Sequence, residues 1–310
     1  MPYVAPVASQ RHNTLHGVSR WVYTLPGARP ATRQLVRYTL QRSGLPHAAR
    51  QRLFNFFAAD VSPNEPVVSD VGTGSARLRL ELCLQDELSR NWYFWGYAGF
   101  EPGMTRLFRA LLKSRRCIFD IGANVGYYAL LAASALNGRG AVHAFEPSPF
   151  VFKTLARNAQ LNHLGGLHLN QVALADTDGY GDLFVPSVGG DTNASLIPDF
   201  TTLNHPIRVP LVRFDTYCKT HDIQHVDLVK IDVEGAELSV LQGMGGLIEA
   251  WYPDIIVEVL KPSADALEGF FSKTTYRKFL ITNNGLHEMD RISADPVYRD
   301  VYLSVAPVFS

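Results

Sequence analysis

The chain has 310 residues, which is enough for one large α/β domain with a smaller appendage. Lys plus Arg and Asp plus Glu each number 29, so a formal net charge of zero provides no general attraction to nucleic acid or another polyanion. No apolar run approaches about 18 residues and the 3 cysteines are widely spaced, which argues against a membrane span and a disulfide framework and favours a cytoplasmic protein.

Residues 1–103 are predicted to form an N-terminal cap that combines helices with a strand. Apolar side chains recur at helical spacing over 31–42 and 48–59, and the leucines of 78–84 alternate with polar residues as in a half-buried strand. Aromatic residues are then concentrated over 92–100. The first 60 residues are rich in arginine, which leaves open a contact with an anionic partner or a solvated extension.

Residues 104–310 have a different pattern, in which apolar strands alternate with helices. Core strands are predicted near 117–121, 141–146, 167–174, 226–232, 254–260, 279–283 and 299–306, and helices over 127–136, 149–162 and 235–244. Two extended segments, 181–186 and 207–214, flank a long polar loop that fits a substrate loop or a spacer. This alternation predicts an α/β fold in which helices cover both faces of a mostly parallel sheet.

The first core strand ends in Asp120 and is followed by a turn that contains Gly122, Asn124 and Gly126. In doubly wound sheets the ligand lies across the carboxyl ends of the strands, and glycines allow the backbone to approach it closely. The spacing differs from the G-x-G-x-x-G turn that holds a pyrophosphate. A carboxylate favours the ammonium and sulfonium groups of S-adenosylmethionine (SAM), so we expect a SAM site; a nicotinamide-dependent oxidoreductase is the weaker alternative.

Two further acids follow predicted strands. Glu146 lies 20 residues after Gly126, at about the offset where such folds place a carboxylate that binds the ribose hydroxyls. Asp176 is predicted to contact the adenine amino group, although a simple turn residue is an equally open interpretation.

Asp232 and Glu234 stand between a predicted strand and the helix that follows it. Capping of a helix N-terminus explains one such acid better than it explains two. We therefore predict that Asp232 and Glu234 face the reaction centre, with His205 as the reserve candidate for a base. Lys230 either pairs with one of these acids or is structural. No metal is predicted, because two acids two residues apart give an incomplete oxygen shell.

Four segments, taken together, resemble the FkbM family of SAM-dependent methyltransferases. They are Phe119–Tyr128, Ala144–Pro149, Gln171–Asp176 and Val229–Glu237, and the resemblance extends from about residue 97 to about residue 303. Smaller features match as well, among them Glu101-Pro-Gly-Met-Thr and Asp191-Thr-Asn-Ala-Ser-Leu.

The resemblance implies a class I, Rossmann-like methyltransferase fold that acts mostly on hydroxyl groups of sugars, glycoconjugates or other natural products. It assigns Asp120, Gly122, Asn124 and Gly126 to the methionine end of SAM, Glu146 to the ribose, and Asp232 with Glu234 to the reaction side. The acceptor would be a small molecule or a glycan. A methyltransferase-like module that binds SAM without turnover remains an alternative, and nucleic-acid methylation is disfavoured because the main domain is acidic.

Overall fold

The computed structural model describes residues 101–186, 194–197 and 204–306, together with short stretches at 38–39, 43–45, 49–50, 53, 66–71, 77–83, 89 and 91–93. The chain divides into two compact units, Met1–Val67 with Leu82–Trp95, and Val68–Glu81 with Gly96–Ser310. Most of the two predicted N-terminal helices and of the aromatic segment 92–100 lies outside the described residues. The cap boundary near residue 103 stays a prediction.

The described strands fall into three sheets. In chain order they are β1 (Val67–Val71), β2 (Leu78–Leu82), β3 (Cys117–Ile121), β4 (Ala141–Phe145), β5 (Leu167–Asn170), β6 (Ala173–Ala175), β7 (Gly179–Pro186), β8 (Asn204–Arg213), β9 (Leu228–Ile231), β10 (Asp254–Glu258), β11 (Arg277–Thr282), β12 (Gly285–Met289) and β13 (Asp300–Ser304). The main sheet has the order β5-β4-β3-β9-β10-β13-β11-β12, while β1 pairs with β2, and β8 lies between β6 and β7.

The main sheet is parallel from β5 to β10 and becomes antiparallel at β13 and β11. From β3 the chain proceeds to β4 and β5 on one side, and it later returns to β9 on the other side of β3. Such a reversal of strand order opens a crevice at the carboxyl ends of the neighbouring strands. The sheet is thus the mostly parallel α/β sheet that the sequence predicted, with a reversal of strand order beside β3.

The described helices of this unit lie between the strands. They are α1 (Pro102–Leu111), α2 (Tyr127–Leu136), α3 (Pro149–Asn162), α4 (Phe214–Thr220), α5 (Glu237–Gly243), α6 (Leu247–Trp251) and α7 (Ala264–Phe271). Helix α3 starts with Pro149 in its first position, directly after Ser148, whose hydroxyl accepts a bond from the Val151 amide. None of the helices in the described part of the chain is long and apolar enough to cross a membrane.

The third predicted core strand, 167–174, is wrong as a single element. It is split into β5, which lies at the edge of the main sheet, and β6, which pairs with β8 in the small sheet. Apolar residues occur in both β5 and β6, so the sequence pattern does not reveal where one strand ends and the other begins. At the break, the Asn170 side chain donates a bond to the Ala144 carbonyl at 3.2 Å and thereby fixes the edge of the main sheet.

Two other expectations about the elements need correction. Helix 235–244 is shorter than predicted, because α5 spans Glu237–Gly243. Strand β12 was not predicted; it forms a hairpin with β11, in which Thr282 is paired with Gly285. Strand β12 is mostly exposed at the edge of the sheet, so it lacks the regular apolar pattern from which the other strands were predicted.

Aromatic packing beneath the crevice fixes the end of β3. Phe119 is fully buried, and its ring centroid lies 5.2 Å from that of Phe145 on β4 and 4.8 Å from that of Phe214 on α4. At the other end of β3, the Asp227 carboxylate accepts bonds from the Arg116 and Cys117 amides. The strand that carries Asp120 is therefore held firmly at both ends.

Candidate functional site

The turn between β3 and α2 is shaped by contacts within the chain itself. Gly122 has a φ of +77°, and a Cβ at this position would lie 1.8 Å from the Asp232 carbonyl oxygen. Gly126 has a φ of +98°, and its Cβ would lie 2.5 Å from a methyl group of Leu155. Both conformations favour glycine. Packing within the chain is therefore enough to explain why glycine occupies these two positions, which the sequence had assigned to contact with a ligand. Their contact with the methionine end of SAM stays a prediction.

Asn124 and Glu146 are brought together at the ends of β3 and β4. The Glu146 carboxylate is buried and accepts a bond from the Asn124 amide at 3.1 Å with one oxygen. Its other oxygen accepts a bond from the Ser148 amide at 2.9 Å. A carboxylate oxygen has room for more than one donor, so Glu146 is fixed in place and still able to accept bonds from a ligand.

Asp120 and Asp232 are joined through Lys230. The Lys230 ammonium lies 3.0 Å from Asp232 Oδ2 and 3.7 Å from Asp120 Oδ1. The side chain of Asp120 is 1% exposed and that of Asp232 is 39% exposed, so the first belongs to the interior and the second faces the crevice. The sequence left open whether Lys230 pairs with Asp232 or Glu234 or is structural; it pairs with Asp232, and also with Asp120, a partner that was not predicted.

Burial raises the pKa of Asp120 to about 6; Lys230 opposes this shift and Asp232 adds to it. For Lys230 itself, burial lowers the pKa, but the attraction of Asp232 and Asp120 outweighs it and the net pKa is raised. Lys230 is therefore a permanent cation and cannot serve as a base at neutral pH.

Asp232, Glu234 and Glu258 form a cluster in which each residue offers a carboxylate oxygen within 4.8 Å of the others. Burial raises the pKa of Glu234 to about 7 and that of Glu258 to about 9, and in both cases Asp232 adds to the shift. Arg299 lies 3.5 Å from one oxygen of Glu258 and lowers both pKa values. Near neutral pH Glu258 is thus mostly protonated and Glu234 partly protonated.

Glu258 was not predicted from the sequence, because the strand was expected to continue past it to residue 260. It is the last residue of β10, which is the neighbour of β9, so the two acids reach the same edge of the sheet. Three carboxylate oxygens make a fuller shell for a hard cation than the two that the sequence suggested. The expectation of a metal-free site stays a prediction.

Glu234 adopts a backbone conformation that is uncommon for its residue type. Its φ is +52°, in the left-handed region, and its carbonyl accepts a bond from the Ser195 hydroxyl at 2.6 Å. Ser195 is buried and exchanges backbone bonds with Phe184 of β7. A segment of the polar loop between β7 and β8 is therefore anchored to the backbone of Glu234.

Glu101 also belongs to this neighbourhood. It precedes α1 with a φ of +46°, and its carboxylate accepts a bond from the Tyr128 hydroxyl at 2.8 Å. Burial raises the pKa of Glu101, and the negative charge of Asp232 adds to this shift, whereas the positive charge of Lys230 opposes it. Glu101 therefore interacts electrostatically with both groups. The first residue of the Glu101-Pro-Gly-Met-Thr segment thus lies close to the charged groups of the crevice.

Asp176 is not brought together with the other predicted residues. It follows β6 in the small sheet, and its side chain accepts a bond from the Ser239 hydroxyl at 3.1 Å. Its own carbonyl accepts a bond from Arg213. These contacts agree with a turn residue that tethers the small sheet to α5, and its contact with adenine stays a prediction. His205 lies in β8, but its side chain is outside the described part of the chain.

Comparison with known proteins identifies several relatives. The methyltransferase FkbM domain matches residues 120–278, a range that includes every predicted site residue. Methyltransferase 1 of Beauveria bassiana is 30% identical over 177 residues, which cover 51% of this chain and 68% of that protein. The hexuronic acid methyltransferase AglP of Haloferax volcanii is 24% identical over 200 residues, or 63% of this chain and 74% of that protein. The 31-O-demethyl-FK506 methyltransferase FkbM of Streptomyces tacrolimicus is 30% identical over 160 residues, or 43% and 61%.

Proposed function

Because the chain belongs to the FkbM methyltransferase family, we propose that it transfers the methyl group of SAM to a hydroxyl group of a sugar, glycoconjugate or other natural product. The observation that carries this proposal is the arrangement of Asp120, Glu146 and Asp232 at the ends of three adjacent parallel strands, β3, β4 and β9. The crevice between these ends is where an α/β sheet of this order binds its ligand.

The donor fits the charge of this crevice. SAM carries an ammonium and a sulfonium group, and it has no phosphate. The Glu146 carboxylate is held by two amides in a position to bind ribose hydroxyls, and Asp120 supplies a negative charge beside the turn. A dinucleotide would instead set its pyrophosphate against these acids, and the described turn lacks the glycine spacing that accommodates one.

On the acceptor side, the chain must hold a hydroxyl oxygen in line with the bond that breaks. When bound, SAM supplies an electrophilic methyl group, so positioning of the acceptor is the main task and contributes roughly 7–11 kcal/mol to the lowering of the barrier. Asp232 is the acid that faces the crevice, and its carboxylate is anchored by Lys230. We assign to it the orientation of the acceptor hydroxyl and the removal of its proton, with Glu234 beside it.

The choice of oxygen as the methylated atom is supported by the relatives. The name of one relative, a 31-O-demethyl-FK506 methyltransferase, specifies an oxygen acceptor, and the name of another, a hexuronic acid methyltransferase, specifies a sugar acid. The polar loop anchored by Ser195 lies on the same side as Asp232 and Glu234, and we assign to it one wall of the acceptor site.

The test is a transfer assay with SAM that carries a tritiated methyl group. The acceptors are a panel of methyl hexopyranosides, methyl 6-deoxyhexopyranosides and hydroxylated macrolides, and the Asp232→Asn variant is the matched control. We expect label in at least one acceptor with the wild-type protein and a strong loss with the variant. Binding of SAM without transfer to any acceptor or to water would support a non-catalytic module, and binding of NAD in place of SAM would support the oxidoreductase.

A further inference from the structure

Lys230 occupies an unusual position for a lysine, in the middle of the main sheet. It stands on β9 directly beside Asp120 of β3 in the strand register, and its side chain is 6% exposed. Asp232 follows two residues later, directly after the strand ends at Ile231, and its carboxylate reaches the same ammonium. The ammonium also lies 5.2 Å from the ring centroid of Tyr128, at the start of α2.

Two contacts of different strength hold the ammonium in place. The hydrogen bond to Asp232 Oδ2, at 3.0 Å, anchors it at the crevice side. The longer contact to Asp120, at 3.7 Å, provides an opposite charge for a carboxylate whose two oxygens are both buried. A buried charge whose partner is removed is strongly destabilised, so the state of Asp120 depends on Lys230.

Lys230 is poorly suited to contact the donor directly. Its charge has the same sign as the ammonium and sulfonium groups of SAM, and almost none of its surface is accessible. Any influence on the donor must therefore pass through the acids that it pairs with, of which Asp120 lies beside the glycine turn.

We propose that Lys230 is a positioning residue of the donor site: anchored by Asp232, its ammonium group holds the buried Asp120 carboxylate in place behind the glycine turn, where its negative charge favours the cationic methionine end of SAM. This inference rests on the proposed function, because it assumes that the crevice binds SAM. It adds a role for a residue that otherwise would only neutralise charge inside the sheet.

The experiment is a double-mutant cycle on SAM affinity, measured by calorimetry with no acceptor present. The variants are Lys230→Met, Asp120→Asn and the two combined. We expect each single change to weaken SAM binding about tenfold or more, and the double variant to bind within about threefold of Asp120→Asn, because the lysine then has no carboxylate to position. A double variant whose loss equals the product of the single losses would overturn the proposal.

A matched control separates positioning from stability. Lys278 is another buried lysine, with a side chain 10% exposed, and its ammonium lies 2.8 Å from Glu268. Lys278→Met should lower the melting temperature and leave SAM affinity within about twofold of wild type. An equal loss of SAM affinity in Lys278→Met, or unchanged affinity in Lys230→Met, would contradict the inference.

The double variant also allows the proposal to be tested if Lys230→Met does not fold. Lys230→Met alone leaves the Asp120 charge buried without a partner, whereas the combined change removes both charges and is better tolerated. If Lys230→Met alone does not fold, the SAM affinity of the combined variant is compared with that of Asp120→Asn, and a further loss beyond about threefold would overturn the proposal. A wild-type protein that binds no SAM would instead overturn the proposed function, and this inference with it.

Discussion

The α-carbon of Gly122 faces the carbonyl group of Asp232 so closely that a Cβ on Gly122 would lie 1.8 Å from the carbonyl oxygen. The Asp232 amide in turn donates a bond to the Ile121 carbonyl at 3.0 Å, so β3 and β9 remain in contact beyond their last paired residues. This contact places the glycine turn of the proposed donor site directly beside the acid proposed to act on the acceptor.

Gly122→Ala is therefore expected to disrupt the site and to destabilise the protein. The added Cβ clashes with backbone, and the φ of +77° is itself unfavourable for alanine. We expect a loss of more than about 2 kcal/mol in the free energy of unfolding, measured with urea. The matched control is Gly269→Ala within α7, where nothing lies within 4 Å of the added Cβ and helix propensity should increase stability slightly. Equal stability of the two variants would contradict this account of the turn.

Glu146→Gln is expected to weaken SAM binding by tenfold or more. The substitution keeps the shape of the side chain but removes its charge, and it sets an amide NH₂ group against either the Asn124 or the Ser148 amide. A hydrogen bond to a charged acceptor contributes roughly 1.5–3 kcal/mol, and about 1.4 kcal/mol corresponds to a factor of ten in affinity. Calorimetry with SAM provides the measurement.

Asp176→Asn serves as the comparison for Glu146→Gln. The exposed Asp176 side chain bonds to Ser239, and its bond to that hydroxyl can be kept by an amide oxygen. We expect a change in SAM affinity of less than about threefold, in line with a turn residue. A loss as large as that of Glu146→Gln would instead support the predicted contact with adenine.

Asp232→Asn is expected to lower kcat while SAM affinity stays within about threefold of wild type. The amide oxygen can still accept the bond from Lys230, so the local structure is kept, but the group can no longer take up a proton. General-base catalysis typically contributes about 10²–10⁴-fold, and we expect a loss in that range in the tritium transfer assay. Undiminished turnover would move the base to another residue, with Glu234 the next to test.

Stability should depend on pH through His143, which lies away from the crevice acids. Burial lowers the pKa of His143 to about 4, with His168 and His221 adding to the shift, and Nδ1 lies 2.9 Å from the Tyr217 hydroxyl. The unfolded chain binds a proton at a higher pH than the folded protein, so stability is full above about pH 6.5 and decreases as the pH falls toward 4.

His143→Gln should reduce this pH dependence. The amide can replace the contact with Tyr217 but does not titrate, so urea unfolding at pH 7.5 and at pH 5 should give closer free energies than in the wild type. We expect the contribution removed to be on the order of 1–2 kcal/mol between these two conditions. An unchanged pH dependence in the variant would show that other groups control it.

Much of the fold follows directly from apolar patterning. The strands that end in Asp120, Glu146 and Asp232 are buried on both faces, and such strands are continuous apolar runs that a sequence displays clearly. The break between β5 and β6 is hidden, since both sides of it are apolar and only tertiary pairing tells them apart. For the same reason the sequence associated Asp176 with the wrong sheet.

The site residues, too, could be predicted only in part from the sequence. Acids that end strands could be identified from sequence, but Glu258 was missed because the strand was predicted to continue to residue 260, whereas β10 ends at Glu258. The pairing of Lys230 with Asp120 depends on the register of β9 against β3, which one sequence does not specify. The tight contact of Gly122 with Asp232 likewise joins residues that are distant along the chain.

The most direct measurement is a crystal structure of the protein with S-adenosylhomocysteine, the demethylated product of the donor. We predict that both ribose hydroxyls lie within hydrogen-bond distance of the Glu146 carboxylate, that the methionine end lies at the turn after Asp120, and that the sulfur is directed toward Asp232. A nucleoside bound away from the ends of β3 and β4, or no binding at concentrations that saturate other methyltransferases, would contradict the account.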